Sequence, residues 1–240
     1  MATKIAHMRE ATYRPELAVP STTDVYLVTK RLFDILLSAT ALVLLAPLMA
    51  LIALIVRLDS PGPVIFKQKR VLGGQRPGEL HPERHVFEFF KFRSMYQNAD
   101  QKLHQQHMSQ LINGQGGQGA ALKMHKLAHD PRVTRFGRFL RKTSLDELPQ
   151  LVNILRGDMT FVGPRPAIPY EVAEYKAWHL RRLEVAQGLT GLWQVKGRNN
   201  LSFDEMVQLD IEYARRRSFW LDLGILLVTV PMVLICRGVR

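Results

Sequence analysis

The sequence predicts an α+β chain, mostly helical, with a membrane helix near its N-terminus and a small domain of short strands and amphipathic helices behind it. Three observations point there. A run from Ile35 to Val56, ILLSATALVLLAPLMALIALIV, carries no charge. Two stretches after it, VIFKQKRV and HVFEFFKFRSM, alternate in part between apolar and polar residues and read as strands. Beyond them, Leu145, Leu148, Leu151, Val152 and Leu155 recur at the spacing of an amphipathic helix.

Composition bounds the function. At 240 residues the chain is long enough for one or two domains with a core. The net charge of +12 calls for an anionic partner: nucleic acid, a membrane surface or a phosphorylated substrate. Cys236 is the single cysteine, which excludes a disulfide framework and a cysteine-based zinc site and suits a reducing, cytoplasmic setting. The eight histidines lack metalloprotease spacing, and His104, His107, His125 and His129 are expected on the surface of a polar insert.

Residues 1–29 form a leader without strong periodicity. The apolar run follows in a segment spanning 30–58. As a helix, Ile35–Val56 is about 33 Å long, against a hydrocarbon core of about 30 Å. A mixed leader before it and its apolar length argue against a signal peptide. Pro47 sits in its middle and should kink it. Basic residues flank both ends, Lys30 and Arg31 before, Arg57, Lys67, Lys69 and Arg70 after. The positive-inside rule places both flanks in the cytoplasm. A re-entrant helix that bends at Pro47 and leaves by the face it entered satisfies both observations. A single-pass span is the alternative.

The rest, residues 59–240, is expected as one cytosolic domain. DSPGP, from Asp59 to Pro63, is a turn that ends the membrane segment. The two strands follow, with Lys91 and Arg93 on one face. Residues from about 98 to 128 are Gln- and Gly-rich and read as a mobile insert. Arg132, Arg135, Arg138 and Arg141 then recur every three residues, a basic helical face suited to lipid headgroups or phosphates, or simply to solvent. Ser144 and Glu147 fit a capping box, so Ser144 or Asp146 should cap a helix that carries Pro149 in its first turn. That would put Asp146 and Glu147 at the positive end of the helix, where anions are favoured. GPRP, Gly163 to Pro166, holds Arg165 between Pro164 and Pro166, a backbone fixed in advance for a guanidinium that grips a phosphate oxygen. The last apolar run, Leu223–Cys236, is broken by Pro231 and too short to span; it reads as an interfacial segment within 221–240 or as a buried helix.

Taken in order, KRLFDILLSATALVLLAPL, DSPGPVIFKQKR, FEFFKFRSM, DPRVTRFGRFLRKTSLDELPQLVNILRGDMTFVGPRP, GLTGLWQVKGRN and LDIEYARRRSFWLDLGILL resemble the bacterial sugar transferases, the monotopic polyprenyl-phosphate hexose-1-phosphate transferases. The resemblance runs from Lys30 to about Leu227. It implies a monotopic protein on the cytoplasmic face of the bacterial inner membrane. It implies transfer of hexose 1-phosphate, glucose or galactose by analogy, from a UDP-sugar to undecaprenyl phosphate with release of UMP, the step that initiates a surface polysaccharide. Asp146 would be the nucleophile and Glu147 would help it hold Mg²⁺. Lys91, Arg93, Arg141 and Arg165 would bind substrate phosphates, with Asp158, Pro164, Pro166 and Arg198 in support. A homodimer is left open. One departure is visible: family members often carry Ser-Pro at the helix break, where this chain has Ala46-Pro47. Alternatives outside this chemistry are a membrane-anchored basic scaffold and a nucleic-acid-binding protein. Nucleic acid is not expected, since no RNP or helix-turn-helix pattern accompanies the charge. An ordinary glycosyltransferase lacks a separate nucleotide-binding domain here.

Overall fold

The computed structural model describes residues 24–74, 85–97, 102–113, 132–197 and 201–234. Its longest element is α1 (Asp24–Asp59), a helix of 36 residues that is long and apolar enough to cross a membrane. Pro47 lies inside it, and the helix continues on both sides of the proline. The expected break is therefore not a change of secondary structure, because one missing backbone bond kinks a helix without ending it. Burial along α1 is uneven. Asp34 and Ser38 are buried at one end and Ile52 and Val56 at the other, while Val43, Leu44, Leu48 and Leu51 between them are exposed. One face of the helix, including Ala41, Leu42, Leu45 and Met49, thus rests on the domain along its length, and the opposite apolar face points away from it.

The contacts at the first end are polar. Lys30 donates to the carbonyl of Val162 at 3.0 Å and pairs with Asp222 at 2.5 Å. Arg31 donates to the carbonyls of Ile154 and Leu155, both at 2.7 Å. Asp34 accepts from the Phe161 amide at 3.1 Å. The sequence assigned Lys30 and Arg31 to the membrane flank; the fold instead uses them to fasten α1 to the domain.

That domain is assembled from short pieces. Strands β1 (Ile65–Val71) and β2 (Val86–Phe92) form an antiparallel pair in which Phe66 faces Lys91 and Arg70 faces Phe87. Helix α2 (Lys102–Ile112) occupies part of the segment expected to be a mobile insert. Met108, Leu111 and Ile112 recur at i, i+3 and i+4 and are buried against Val172, Tyr175 and Val207. Glutamine is an adequate helix former, so a Gln-rich stretch with one apolar stripe folds once it has a surface to cover. Then come α3 (Arg135–Thr143), a 3₁₀ turn (Leu145–Glu147), α4 (Gln150–Arg156) and β3 (Thr160–Val162). The chain goes on through α5 (Pro169–Val172), a 3₁₀ helix (Ala177–Leu183) and β4 (Gly188–Thr190), which pairs in parallel with β3. It closes with α6 (Leu192–Lys196), α7 (Phe203–Arg216) and α8 (Phe219–Leu234).

Helix α8 is buried on one face, as expected of a docked helix, and leaves an apolar face exposed. Ile225 is buried, with Leu221 and Leu226 packed beside it in the core that contains Leu151, Phe161 and Tyr213. Trp220, Leu227, Val228 and Val230 are exposed. Asp222 on α8 also accepts from Tyr26 at 2.9 Å and Tyr213 at 2.7 Å, so α1, α7 and α8 meet around one carboxylate.

Removing one partner of a buried pair leaves the other charge uncompensated and costs about 3–5 kcal/mol. Lys30→Met should lower the thermal midpoint of the detergent-solubilised protein clearly, with the two tyrosines offsetting part of the loss. Adding Asp222→Asn should recover some of it. A double variant less stable than Lys30→Met alone would show that Asp222 does not depend on Lys30.

Candidate active site

The acid pair sits in the tight connection between α3 and α4. Thr134 caps α3 by accepting the Gly137 amide at 2.9 Å. Gly137 lies against the end of β2 so closely that a Cβ there would meet the Ser94 carbonyl at 2.1 Å. Glycine at 137 thus lets α3 dock on the residues that follow Lys91. Helix α3 ends at Ser144, which adopts a left-handed conformation with φ of 58°. The expected capping box does not form. Ser144 makes no side-chain cap, Asp146 and Glu147 lie in the 3₁₀ turn, and α4 starts only at Gln150 behind Pro149. Once Ser144 is committed to terminating α3, it cannot take the extended conformation of an N-cap. The carboxylates are consequently not used up as caps.

Asp146 is buried, 6% exposed. Lys91 Nζ binds Glu147 Oε1 at 2.7 Å and lies 3.8 Å from Asp146 Oδ2. Arg165 Nη1 lies 3.9 Å from Glu147 Oε1. Arg141 donates from Nε to Ser94 Oγ at 2.9 Å, on the strand side of the same cleft. The two acids differ in electrostatics. Burial pushes the Asp146 carboxyl up; Lys91 opposes that shift and the neighbouring Glu147 charge adds to it. Burial acts on Glu147 too, but Lys91, Arg165 and Arg70 outweigh it and hold that carboxyl below the usual range. Glu147 is therefore the fixed anion, and Asp146 the more basic of the pair.

GPRP follows β3 directly. Gly163 donates to the Thr190 carbonyl at 2.9 Å, and Gly188 donates to the Pro164 carbonyl at 2.8 Å. A Cβ at Gly163 would meet the Ala186 carbonyl at 2.3 Å, so only glycine lets the loop lie on β4. Arg165 leaves this clamped backbone with its side chain 38% exposed, turned toward Glu147 and open to a ligand.

The fold brings Lys91, Asp146, Glu147 and Arg165 together, with Arg141 alongside. It does not bring Arg93. That guanidinium is buried and donates to the carbonyls of Val56, Ser60 and Pro63, tying the end of α1 to the turn before β1. A side chain committed to three carbonyls is a structural clasp, not a phosphate ligand. Asp158 accepts from Asn153 at 2.9 Å. Asn153 is fully buried, accepts from the Phe90 amide at 3.0 Å and donates to the Glu88 carbonyl at 2.6 Å. Asp158 thus supports the residue that locks α4 to β2, next to Lys91. The sequence reading passed over Asn153, although a polar residue among the apolar positions of LVNIL was the available signal. It took Arg70 only as a membrane flank. Arg198 lies outside the described residues. So do His125 and His129, and the side chains of His104 and His107. Among the described residues no group of three or more His, Cys, Asp or Glu side chains gathers around a point, which leaves Asp146 and Glu147 as the carboxylates at hand here.

A buried carboxylate and its neighbour are thus surrounded by Lys91, Arg141 and Arg165, an arrangement whose positive charge suits an anion. Comparisons with known proteins give the family. Residues 25–236 match the model of the family described as bacterial sugar transferase. The chain is 39% identical over 216 residues to galactosyl transferase CpsE of Streptococcus agalactiae, covering 90% of this chain and 44% of that one. It is 42% identical over 205 residues to undecaprenyl-phosphate galactose phosphotransferase of Salmonella typhimurium, covering 85% and 40%. With exopolysaccharide production protein ExoY of Rhizobium meliloti it shares 39% identity over 210 residues, 87% of each chain. The chain therefore spans less than half of the first two relatives and most of the third. It belongs to the bacterial sugar transferase family.

Proposed function

We propose that the protein is a phosphoglycosyl transferase that moves hexose 1-phosphate, with glucose or galactose as the hexose, from a UDP-sugar to undecaprenyl phosphate and releases UMP. The observation that carries this reading is the geometry of the acid pair. Asp146 is buried, with Lys91 Nζ 3.8 Å away, and Glu147 is tied to Lys91 at 2.7 Å and faces Arg165 at 3.9 Å. Support also comes from the names of relatives, which include undecaprenyl-phosphate galactose and glucose phosphotransferases. The product would start a surface or exopolysaccharide chain.

In the first half-reaction an Asp146 oxygen attacks the phosphorus that carries the sugar. The new O–P bond forms as the bond to UMP breaks, and UMP leaves with the bridging oxygen. In the second, a phosphate oxygen of the lipid attacks the same phosphorus and releases the Asp146 carboxylate. Two substrates, one soluble and one in lipid, thereby use one anion site in turn. The difficulty of bringing a carboxylate to a pyrophosphate is electrostatic. Lys91, Arg141 and Arg165 reduce it by donating to the oxygens on which charge accumulates. Asp146 and Glu147 also suit Mg²⁺, which takes one or two protein carboxylates and completes its shell with water and phosphate oxygens. When bound, that ion would supply further charge neutralisation at the transferred phosphate.

The same reading places α1 in the cytoplasmic leaflet of the inner membrane as a re-entrant, monotopic anchor. One face of it packs on the domain from Asp34 to Val56, and its opposite, apolar face is exposed and carries Pro47. A helix crossing the bilayer would have to draw part of that packed face into lipid.

Asp146→Asn should lower UMP release by more than about a thousandfold while leaving melting temperature and membrane association intact. Glu147→Gln should lose less, about 10–100-fold, and raise the Mg²⁺ concentration needed for half-maximal rate. An Asp146→Asn enzyme that retains turnover would remove the nucleophile from the scheme. For topology, single cysteines at Val25 and Leu58, both exposed, in a Cys236→Ser background should react with an impermeant thiol reagent only from the cytoplasmic side. Reaction of the two from opposite sides would establish a true span.

A further inference from the structure

Arg165 is flanked by two proline carbonyls, and the two are held in different ways. On one side the Pro164 carbonyl accepts the Gly188 amide at 2.8 Å, a backbone bond that does not depend on any side chain. On the other, the Pro166 carbonyl accepts Arg70 Nη1 at 2.7 Å. Arg70 is itself fixed. Its Nη2 donates to Gln68 Oε1 at 2.8 Å, and its guanidinium lies 5.0 Å from the centre of the Phe89 ring. Lys91 Nζ lies 5.5 Å from the centre of that same ring. One phenylalanine thus spaces the cation that grips Glu147 and the cation that grips the phosphate loop.

Arg70 is 9% exposed, and among the described residues no carboxylate forms an ion pair with it. Its Nε, also buried, has no partner. Burial and the like charge of Arg165 act against its ionisation and Glu171 favours it; the result, about 10, leaves it cationic at neutral pH. A buried cation held by a carbonyl and an amide oxygen, with Glu171 and Glu147 acting on it only at longer range, is expensive to keep for packing alone. A leucine or methionine of similar reach would fill the space without that penalty.

We infer that Arg70 is a positioning residue of the transferase. It completes the clamp around Arg165, so that this guanidinium stays turned to the transferred phosphate. The inference rests on the phosphoglycosyl transfer reading. Arg70 touches neither reacting atom; it acts through Pro166 and Arg165. The adjacent backbone bond from Val71 to the Ala167 carbonyl, at 2.9 Å, does not need the Arg70 side chain, so the loop stays attached to β1 in variants at this position.

The test is a double-mutant cycle on UMP release, with Arg70→Lys and Arg70→Met made in the wild-type and in an Arg165→Ala background. Wild-type turnover comes first; its absence would sink the transfer reading and this inference with it. Given turnover, Arg70→Lys should lose about tenfold or more in kcat, because an ammonium cannot reproduce the held fork, and Arg70→Met should lose more. In the Arg165→Ala background the same substitutions should change the residual rate less than about twofold. Equal fold losses in both backgrounds would reduce Arg70 to a general stabiliser and overturn the inference, as would an Arg70→Lys enzyme with wild-type kcat. Amide exchange gives a readout independent of activity. Peptides covering residues 163–168 should exchange faster in Arg70→Lys at unchanged melting temperature, and unchanged exchange would equally reject the clamp.

Discussion

A buried carboxylate beside a half-buried one is the constraint on which this structure turns. Each buried ion loses several kcal/mol of hydration, and neighbours of like charge add to the penalty. The fold answers with cations from separate elements. Lys91 comes from β2, Arg141 from α3, Arg165 from the loop after β3, and Arg70 from β1. Glu147 receives most of that compensation through Lys91, which leaves Asp146 under-compensated and basic. The site is therefore asymmetric before any substrate arrives. A phosphate anion entering between the arginines would complete their coordination, and binding and activation would use the same charges.

Those charges must be held to within tenths of an ångström, and the surrounding fold is arranged for that. Asn153 joins α4 to β2 beside Lys91, and Gly137 lets α3 press onto Ser94. Gly163 and Gly188 let β3 and β4 lie close enough for a short parallel pair to carry the loop. The long apolar helix α1 takes part in this framework. Lys30 binds the Val162 carbonyl, one residue before Gly163, and Arg31 binds the last carbonyls of α4. Helix α1 and the GPRP loop thus share a hydrogen-bond network around Asp222, which ties the position of the site to that of the apolar helix.

Much of this was legible in the sequence, and the parts that were not share a physical cause. The apolar helix, the strand pair and the clustering of Lys91, Asp146, Glu147 and Arg165 could all be read from composition, periodicity and family motifs. The capping box at Ser144 could not be judged locally. Whether Ser144 starts one helix or ends another depends on α3 docking at Gly137, a contact with Ser94 some forty residues earlier in the chain. Arg93 looked like a phosphate ligand because its partners are backbone carbonyls, which leave no trace in a sequence. Lys30 and Arg31 obey the positive-inside pattern whether they face headgroups or protein. Strands β3 and β4 are too short for alternation to register, and α2 hides one apolar stripe among glutamines and histidines.

The central claim is that Asp146 bonds covalently to the phosphosugar while Glu147 does not. Intact-protein and peptide mass spectrometry of the purified enzyme, given UDP-glucose or UDP-galactose without lipid acceptor and quenched rapidly, tests it most directly. The account predicts a mass increase of one hexose phosphate on the peptide containing Asp146, discharged when undecaprenyl phosphate is added. UMP formed in both half-reactions' presence but no adduct at Asp146 under any quench, with double-reciprocal plots that intersect, would mean direct transfer between the two substrates and would contradict it.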